Sequence, residues 1–439
     1  MPRLAAAMAG IALIAASFSI SAVAAEPEGD DAWFQSHLGD FVDLYRQLHA
    51  HPELSYREVN TARRMAVELA KAGARVSGGV GQLGVVGVIE NGRGSTVLVR
   101  ADMDALPVKE ETGLPFASVA TTIDDEGNKV GVMHACGHDL HMANLVGTAR
   151  WLADHRDRWS GTVVLVAQPA EERAGGAGRM LDDGLYERFP RPTFALAMHV
   201  AHDLEVGKVG YRSGPAMAGS TSVEILVRGK GGHGAMPDKT VDPIVLAAAL
   251  VLDLQTIVSR EIDPIDSAVV SVGSFHGGSK SNVIPDEVRM QLTLRAFRVE
   301  VRDQLVAGIR RRAEALAKAH SAPSPLVETA GAVPPTVNTP ELVARVVPAF
   351  RKALGEGNVV QVEPTMLAED FGLFGRGGVP TFMFRLGTLT PERLAKARAG
   401  GEPLPTLHSP RYRPEVEPAV RTGIRAMAAA VAELLPPQK

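Results

Sequence analysis

The stretch Thr162-Val163-Val164-Leu165-Val166-Ala167-Gln168-Pro169-Ala170-Glu171-Glu172 runs from an unbroken apolar segment straight into a turn with two adjacent carboxylates. A short apolar run without polar alternation predicts a strand buried on both faces, in a sheet covered by helices on each side. Phe194 to Met198 has the same character, and Val85 to Ile89, Thr96 to Val99 and Thr381 to Phe384 add similar runs. Asn91-Gly92-Arg93-Gly94 reads as a turn between two of them. Helical spacings lie between the strands. Phe34, Leu38, Phe41, Leu44, Tyr45 and Leu48 recur on one face, and further helices are expected over 58–71, from an Asp139 cap to about His155, and over 340–354 and 417–435. The alternation predicts an α/β fold with a mixed central sheet and flanking helices.

The pattern changes near Ser213. Thr221 to Val227 alternates like a strand with one wet face, and Pro243 opens a helix over 242–259. Two more alternating strands, a long helix over about 299–320 and a short strand near Leu326 follow. The order β-α-β-β-α-β predicts a ferredoxin-like α+β unit inserted into the larger domain. The expected division is therefore residues 30–212 and 331–439 for the larger domain and 213–330 for the insert.

The 439 residues carry a formal charge of −4 and 45% apolar content, enough for two cores and with nothing that points to nucleic acid. Arg3, the apolar or small residues from Leu4 to Ile20, and Ala22-Val23-Ala24 form the pattern of a secretory signal peptide over 1–24. An exported, periplasmic or secreted protein without membrane attachment after processing is expected. Exported proteins usually pair their cysteines. This chain has one cysteine, Cys136, which is left to be intermolecular, inert and buried, or a ligand.

Cys136 lies in Met133-His134-Ala135-Cys136-Gly137-His138-Asp139-Leu140-His141. Other chemistry-bearing residues fall at strand ends, where ligands gather in α/β sheets: Asp102 and Asp104, Glu171 and Glu172, and His199. His408 lies in a loop before the last helix. Taken singly, a Glu-Glu pair is usually a solvated surface, His199 a satisfied core histidine and His408 a loop residue. Together, Cys136, His138, His199 and His408 offer the S and N donors that suit Zn²⁺ or similar ions, and Glu172 adds an oxygen. Five ligands exceed one tetrahedral shell, so two ions are expected, with the thiolate as a candidate bridge. Asp102, Asp104 and Asp139 are expected to orient ligands or cap the helix, and His134 and His141 need not both bind. In the insert, Gly229-Lys230-Gly231-Gly232-His233-Gly234-Ala235 would expose His233 to steady an oxyanion, and Asn282 would add a donor.

These motifs resemble those of the amino-acid amidohydrolases: hippurate hydrolases, N-acyl-amino-acid deacetylases and indole-3-acetyl-amino-acid hydrolases, within the wider aminoacylase and carboxypeptidase G metallopeptidase group. The resemblance rests on 133–141, 168–172, 229–237 and 282–285. It extends to Leu48-His49-Ala50-His51-Pro52-Glu53-Leu54-Ser55, to 100–107, to Met366-Leu367-Ala368-Glu369-Asp370-Phe371 and to Leu407-His408-Ser409-Pro410. It implies a catalytic α/β domain with an inserted lid that often mediates dimers. It also implies two divalent metal ions (Zn, Mn, Co or Ni) on Cys136, His138, Glu172, His199 and His408, and Glu171 as general base. His233 is implied to serve the partner subunit's active site, and Asn282 to hold substrate. Asp102-Met103-Asp104 stands where the wider group has His-x-Asp. Leu292-Thr293 replaces a common Gly-Thr, and an acidic residue common near Ser220-Thr221 is missing. The last two changes fall on the lid and bear on substrate choice.

The resulting expectation is hydrolysis of a small-molecule N-acyl amino acid by a metal-dependent amidohydrolase, as a possible homodimer through the lid. A metallo-carboxypeptidase or dipeptidase with the same site is the near alternative. A periplasmic solute-binding protein and an inactive metal-binding protein are the alternatives from other classes.

Overall fold

The computed structural model describes residues 28–438, so the expected signal peptide lies outside the described residues. An eight-stranded sheet forms the centre. Its order is Arg75–Val80, Gly84–Asn91, Gly161–Gln168, Thr96–Asp102, Phe194–Glu205, Thr381–Leu389, Val209–Tyr211 and Val359–Gln361. The four middle strands from Gly161–Gln168 to Thr381–Leu389 are parallel, and antiparallel pairings join them to the strands on either side. The turn after Asn91 joins strands that do not pair, because Gly161–Gln168 slots between them.

Successive residues of one strand enter different cores. Val97, Val99 and Ala101 pack with Phe34, Leu145 and Ile424, whereas Leu98 packs with Met180, Phe371 and Phe374. This double burial is why the strands show no polar alternation. On the first face lies helix His138–Asp154, buried around nearly its whole circumference. Gly147 lets it approach helix Val416–Leu434: a Cβ there would fall 2.2 Å from Ile424 Cδ1. The helix is preceded by Gly137 at φ 77°, and Asp139 sits in its first turn rather than capping it. A left-handed residue leads into the helix, and glycine adopts that conformation without a Cβ clash.

The chain leaves this domain through Gly214–Met217 and returns through Thr336–Asn338, two strands that pair antiparallel. Between them lie Gly219–Arg228, helix Pro243–Arg260, Ala268–His276, Glu287–Ala296, helix Val299–Ala319 and Leu326–Val333. The four strands are wholly antiparallel and lie in the order second, third, first, fourth, which is the ferredoxin-like arrangement expected. Asp242 accepts from Ile244 N at 2.8 Å to start the first helix. Leu246, Leu250, Leu254 and Ile257 on that helix and Leu305 and Ile309 on the other close a separate core over the sheet. Helix Pro243–Arg260 is long and apolar enough to cross a membrane by composition; one face packs on this core, while Val245 and Leu252 on another are exposed.

Candidate metal centre

The parallel strands bring their carboxyl ends to one edge. Asp102 pairs with Gln168, and Arg100 pairs with Ala197, which sets Asp102 level with His199. His199 does not end its strand. Pairing with Thr381–Leu389 continues to Glu205, so the residue sits where the neighbouring strand Thr96–Asp102 stops. Glu171 and Glu172 follow Gln168, and His138 opens its helix above the same edge.

Hydrogen bonds at the outer nitrogens set the ligand nitrogens. His138 Nδ1–H donates to the Asp104 carbonyl oxygen at 2.8 Å, and His199 Nδ1–H donates to the Val200 carbonyl oxygen at 2.9 Å. Each leaves Nε2 as a lone-pair donor. His199 Nε2 lies 3.6 Å from Cys136 Sγ. His138 Nε2 lies 3.8 Å from Glu172 Oε1, which is 3.4 Å from His408 Nε2. Donors sharing one tetrahedral ion are separated by about 3.3–3.7 Å, given the usual bond lengths. The donors form two overlapping triads, Cys136-His138-His199 and Cys136-Glu172-His408, with Cys136 Sγ in both.

The residues present fit such ions. His138 Nε2 and Glu172 Oε1 are buried with no hydrogen-bond partner, an arrangement that is costly unless something else satisfies them. Burial, and then His141, hold His199 well below the usual histidine range, so its imidazole is neutral. Burial opposes a charge on His138, but Asp102, Asp104 and Glu172 outweigh it and raise the imidazole to about 10. Burial, then Glu172 and Glu171, push the Cys136 thiol up. Burial, then Glu369 and Glu172, raise the Glu171 carboxyl well above its ordinary value. In each of these last three, negative charge crowds the site, and a cation would relieve it.

The remaining expected residues divide clearly. Asp104 Oδ2 accepts from Glu172 N at 3.0 Å, so Asp104 orients both His138 and Glu172. Asp102 Oδ1 accepts from His141 at 2.6 Å, and its Oδ2 accepts from Arg100 at 2.7 Å. His141 accepts from Val200 N at its other nitrogen, so neither is free for an ion. Asp139 meets none of the candidate ligands. It bonds His49 Nδ1 at 2.7 Å, whose Nε2 reaches Glu110 at 3.0 Å. His134 is buried with neither nitrogen paired.

A cavity of about 320 Å³ opens on the cluster, lined by Cys136, Glu171, Glu172, His199 and His408 and, from the insert, by Ser220 and Arg295. His408, at φ 67°, has a half-exposed side chain at its mouth. His233 and Asn282 do not line it. His233 lies in one of a pair of short strands in the insert and Asn282 in the turn before the other, both exposed, and Gly234 N donates to the Asn282 carbonyl at 2.8 Å. Sequence reasoning missed Arg295, and it missed the buried group around Arg100. That guanidinium bonds Asp102, two residues on, and reaches Glu369 at 2.7 Å and Asp370 at 3.1 Å, 269 and 270 residues away.

Known proteins resemble this chain over most of its length. The sequence model of "Peptidase family M20/M25/M40" matches residues 98–433. The hippurate hydrolase of Campylobacter jejuni is 38% identical over 338 residues, 76% of this chain and 85% of that protein. Thermostable carboxypeptidase 1 of Saccharolobus solfataricus is 37% identical over 351 residues, 79% of this chain and 85% of that protein. The crystal structure of Bacillus subtilis YXEP protein, a dinuclear metal binding peptidase, superposes with a TM-score of 0.73 at 30% identity, covering 91% of this chain and 99% of that one.

Proposed function

The chain belongs to peptidase family M20/M25/M40 and is a hydrolase of amide bonds, and from that premise we propose that it cleaves N-acyl amino acids to a carboxylic acid and a free amino acid. The observation that carries this reading is the pair of donor triads sharing Cys136 Sγ, with Glu171 beside them and Arg295 on the same cavity. Cys136, His138, Glu172, His199 and His408 would hold two divalent ions. Bound there, zinc, manganese, cobalt or nickel would polarise the amide carbonyl and acidify a water. Glu171 takes the proton of the attacking water on its carboxylate and delivers it to the leaving nitrogen. Asp104 holds His138 in the required tautomer, and Asp102 fixes His141 beside His199.

Arg295 selects the substrate. It is half-buried and makes no ion pair among the described residues, and burial alone lowers its pKa. A free guanidinium beside the reacting groups suits the carboxylate that every N-acyl amino acid carries. His233 accepts from Ala235 N at Nδ1, which leaves Nε2–H as a donor for an oxyanion. Because His233 and Asn282 stand outside this cavity, we assign them to the site of a second subunit in a homodimer formed through the lid. Exposed Val245 and Leu252 on helix Pro243–Arg260 support that face. Export rests on the pattern at residues 1–24 alone.

The test is metal quantitation on purified protein, then a panel of N-acetyl, N-benzoyl and dipeptide substrates with several divalent ions. Two equivalents of metal and chelator-sensitive release of amino acid from N-acyl substrates are expected. Activity confined to dipeptides would favour the carboxypeptidase or dipeptidase reading, which the thermostable carboxypeptidase likeness supports. Full activity after chelation would overturn both. The solute-binding alternative falls with the family assignment.

A further inference from the structure

Ser55, Tyr56, Arg57 and Glu58 belong to neither triad, yet their side chains converge on the turn that carries Glu171 and Glu172. Glu58 stands at the start of helix Val59–Lys71 but does not cap it. Glu53 does so instead, accepting from Thr61 N at 2.8 Å and Asn60 N at 3.2 Å. Glu58 is fully buried, and its Oε1 accepts the N–H of Ala170 at 2.7 Å while Oε2 has no hydrogen-bond partner. A buried carboxyl with an unpaired oxygen works against folding. Helix capping does not account for it.

Its partner is unusual as well. Ala170 has φ 51°, a left-handed conformation that residues with a Cβ rarely keep without support. The Ala170 carbonyl accepts from Gly175 N and Gly176 N, both at 3.2 Å. On the other side of Glu171, the Glu172 N–H ends on Asp104 Oδ2, and Ser55 Oγ donates to that same oxygen at 2.6 Å. The backbone N–H groups before and after Glu171 are thus both fixed by carboxylates, and one short segment supplies or orients each. Tyr56 adds a wall: a Cβ on Gly175 would fall 2.0 Å from its hydroxyl, and the Arg179 guanidinium lies 4.0 Å from its ring centroid. Arg57 and Arg173 share Asp125, at 2.8 and 2.6 Å, at the outer end of the turn.

We propose that Glu58 is a positioning residue for hydrolysis: by holding Ala170 left-handed it sets where the Glu171 carboxylate is presented, with Ser55 fixing the other side through Asp104. This rests on the reading of Glu171 as the base. The acceptor oxygen matters, not the charge. Burial, then Asp104, raise the Glu58 carboxyl to about 7, and both of its protonation states can accept the Ala170 N–H. A glutamine carbonyl serves equally.

The experiment compares Glu58→Gln, Glu58→Leu, Ser55→Ala and Glu171→Gln on the N-acyl amino acid cleaved fastest in the panel, with metal content and thermal melting measured for each. Glu58→Leu should keep its metal and its KM within about twofold while kcat falls at least about tenfold, the scale of a misplaced reacting group. Glu58→Gln should restore kcat to within about threefold of wild type, and Ser55→Ala should lower kcat severalfold at unchanged KM. The inference is overturned if Glu58→Leu keeps wild-type kcat, if both Glu58 variants fall alike, or if kcat falls only in step with metal content. Should Glu58→Leu not fold, the other two decide: unchanged kcat in Ser55→Ala, or a loss in Glu58→Gln, overturns it. Glu171→Gln separates the two claims. If it turns over normally, the base reading fails. If it is inactive while Glu58→Leu is unimpaired, only the positioning inference fails.

Discussion

His141 donates its Nδ1–H to Asp102 at 2.6 Å and accepts the Val200 N–H at Nε2, so a ring 4.8 Å from that of His199 has no nitrogen left for an ion. Two histidines that look alike in the sequence therefore have different parts to play. Replacing His199 by alanine should abolish metal at the Cys136-His138-His199 triad. His141→Gln should retain it with affinity weakened by no more than about 10–100-fold, the scale for residues that support a metal site without binding the ion. Metal content after dialysis and chelator competition measure both. Equal loss in the two variants would contradict the division.

Glu171 touches the cluster without lying in either triad that contains Cys136. Glu171→Gln should therefore bind its full complement of metal while kcat drops by about 10²–10⁴-fold, the range for loss of a general base. Single-turnover kinetics on metal-loaded protein gives the answer, and near-normal hydrolysis would remove Glu171 from its assigned place.

Arg295 is set to bind charge rather than to hold the fold. Arg295→Met should raise KM for N-acyl amino acids about 10–100-fold, the scale of a charge-assisted hydrogen bond. The same variant should discriminate little against the corresponding amino-acid amides, which lack the carboxylate. A uniform loss on both substrate types would point to a general distortion instead.

The buried His49 provides a pH signature separate from the reaction. Burial opposes its charge, but Asp139 and Glu110 raise it from 6.5 to about 10. Burial raises the carboxyls of Asp139 and Glu110, but hydrogen bonds from His49 bring both below their ordinary values. A raised imidazole stabilises fully below its unfolded value of 6.5 and loses that contribution as pH rises through about 10. The depressed carboxyls act oppositely and lose theirs as the solution becomes acidic. Stability should thus peak near pH 5–6.5 and decline towards pH 10, by at most on the order of a few kcal/mol from this group. Denaturant unfolding should show that alkaline decline flattening in His49→Gln. An unchanged slope would exclude His49 as its source.

What could be read from the chain followed physical signal. The doubly buried strands and the β-α-β-β-α-β order were legible because runs such as Thr162 to Ala167 carry long-range information in local pattern. The candidate donors were legible because a lone Cys136 in an exported-looking chain demands a reason. The strands Val209–Tyr211 and Val359–Gln361 were not, since three residues carry no period. Nor was Arg100 meeting Glu369, because 269 residues separate them and no local rule joins them. Asp139 misled for a related reason: its type suits a helix cap, but the fold gives it a histidine from a distant helix. Glu58 was hidden likewise by looking like an ordinary helix start.

The antiparallel pair Gly214–Met217 and Thr336–Asn338 has a consequence for engineering. The chain crosses outward and back at one seam, so the insert behaves as a cassette with adjacent ends. Grafting a relative's insert between these strands would change the substrate-facing wall that holds Ser220 and Arg295 without rebuilding the edge that holds Cys136. In such a chimera, selectivity should travel with the cassette, and reactivity with the scaffold.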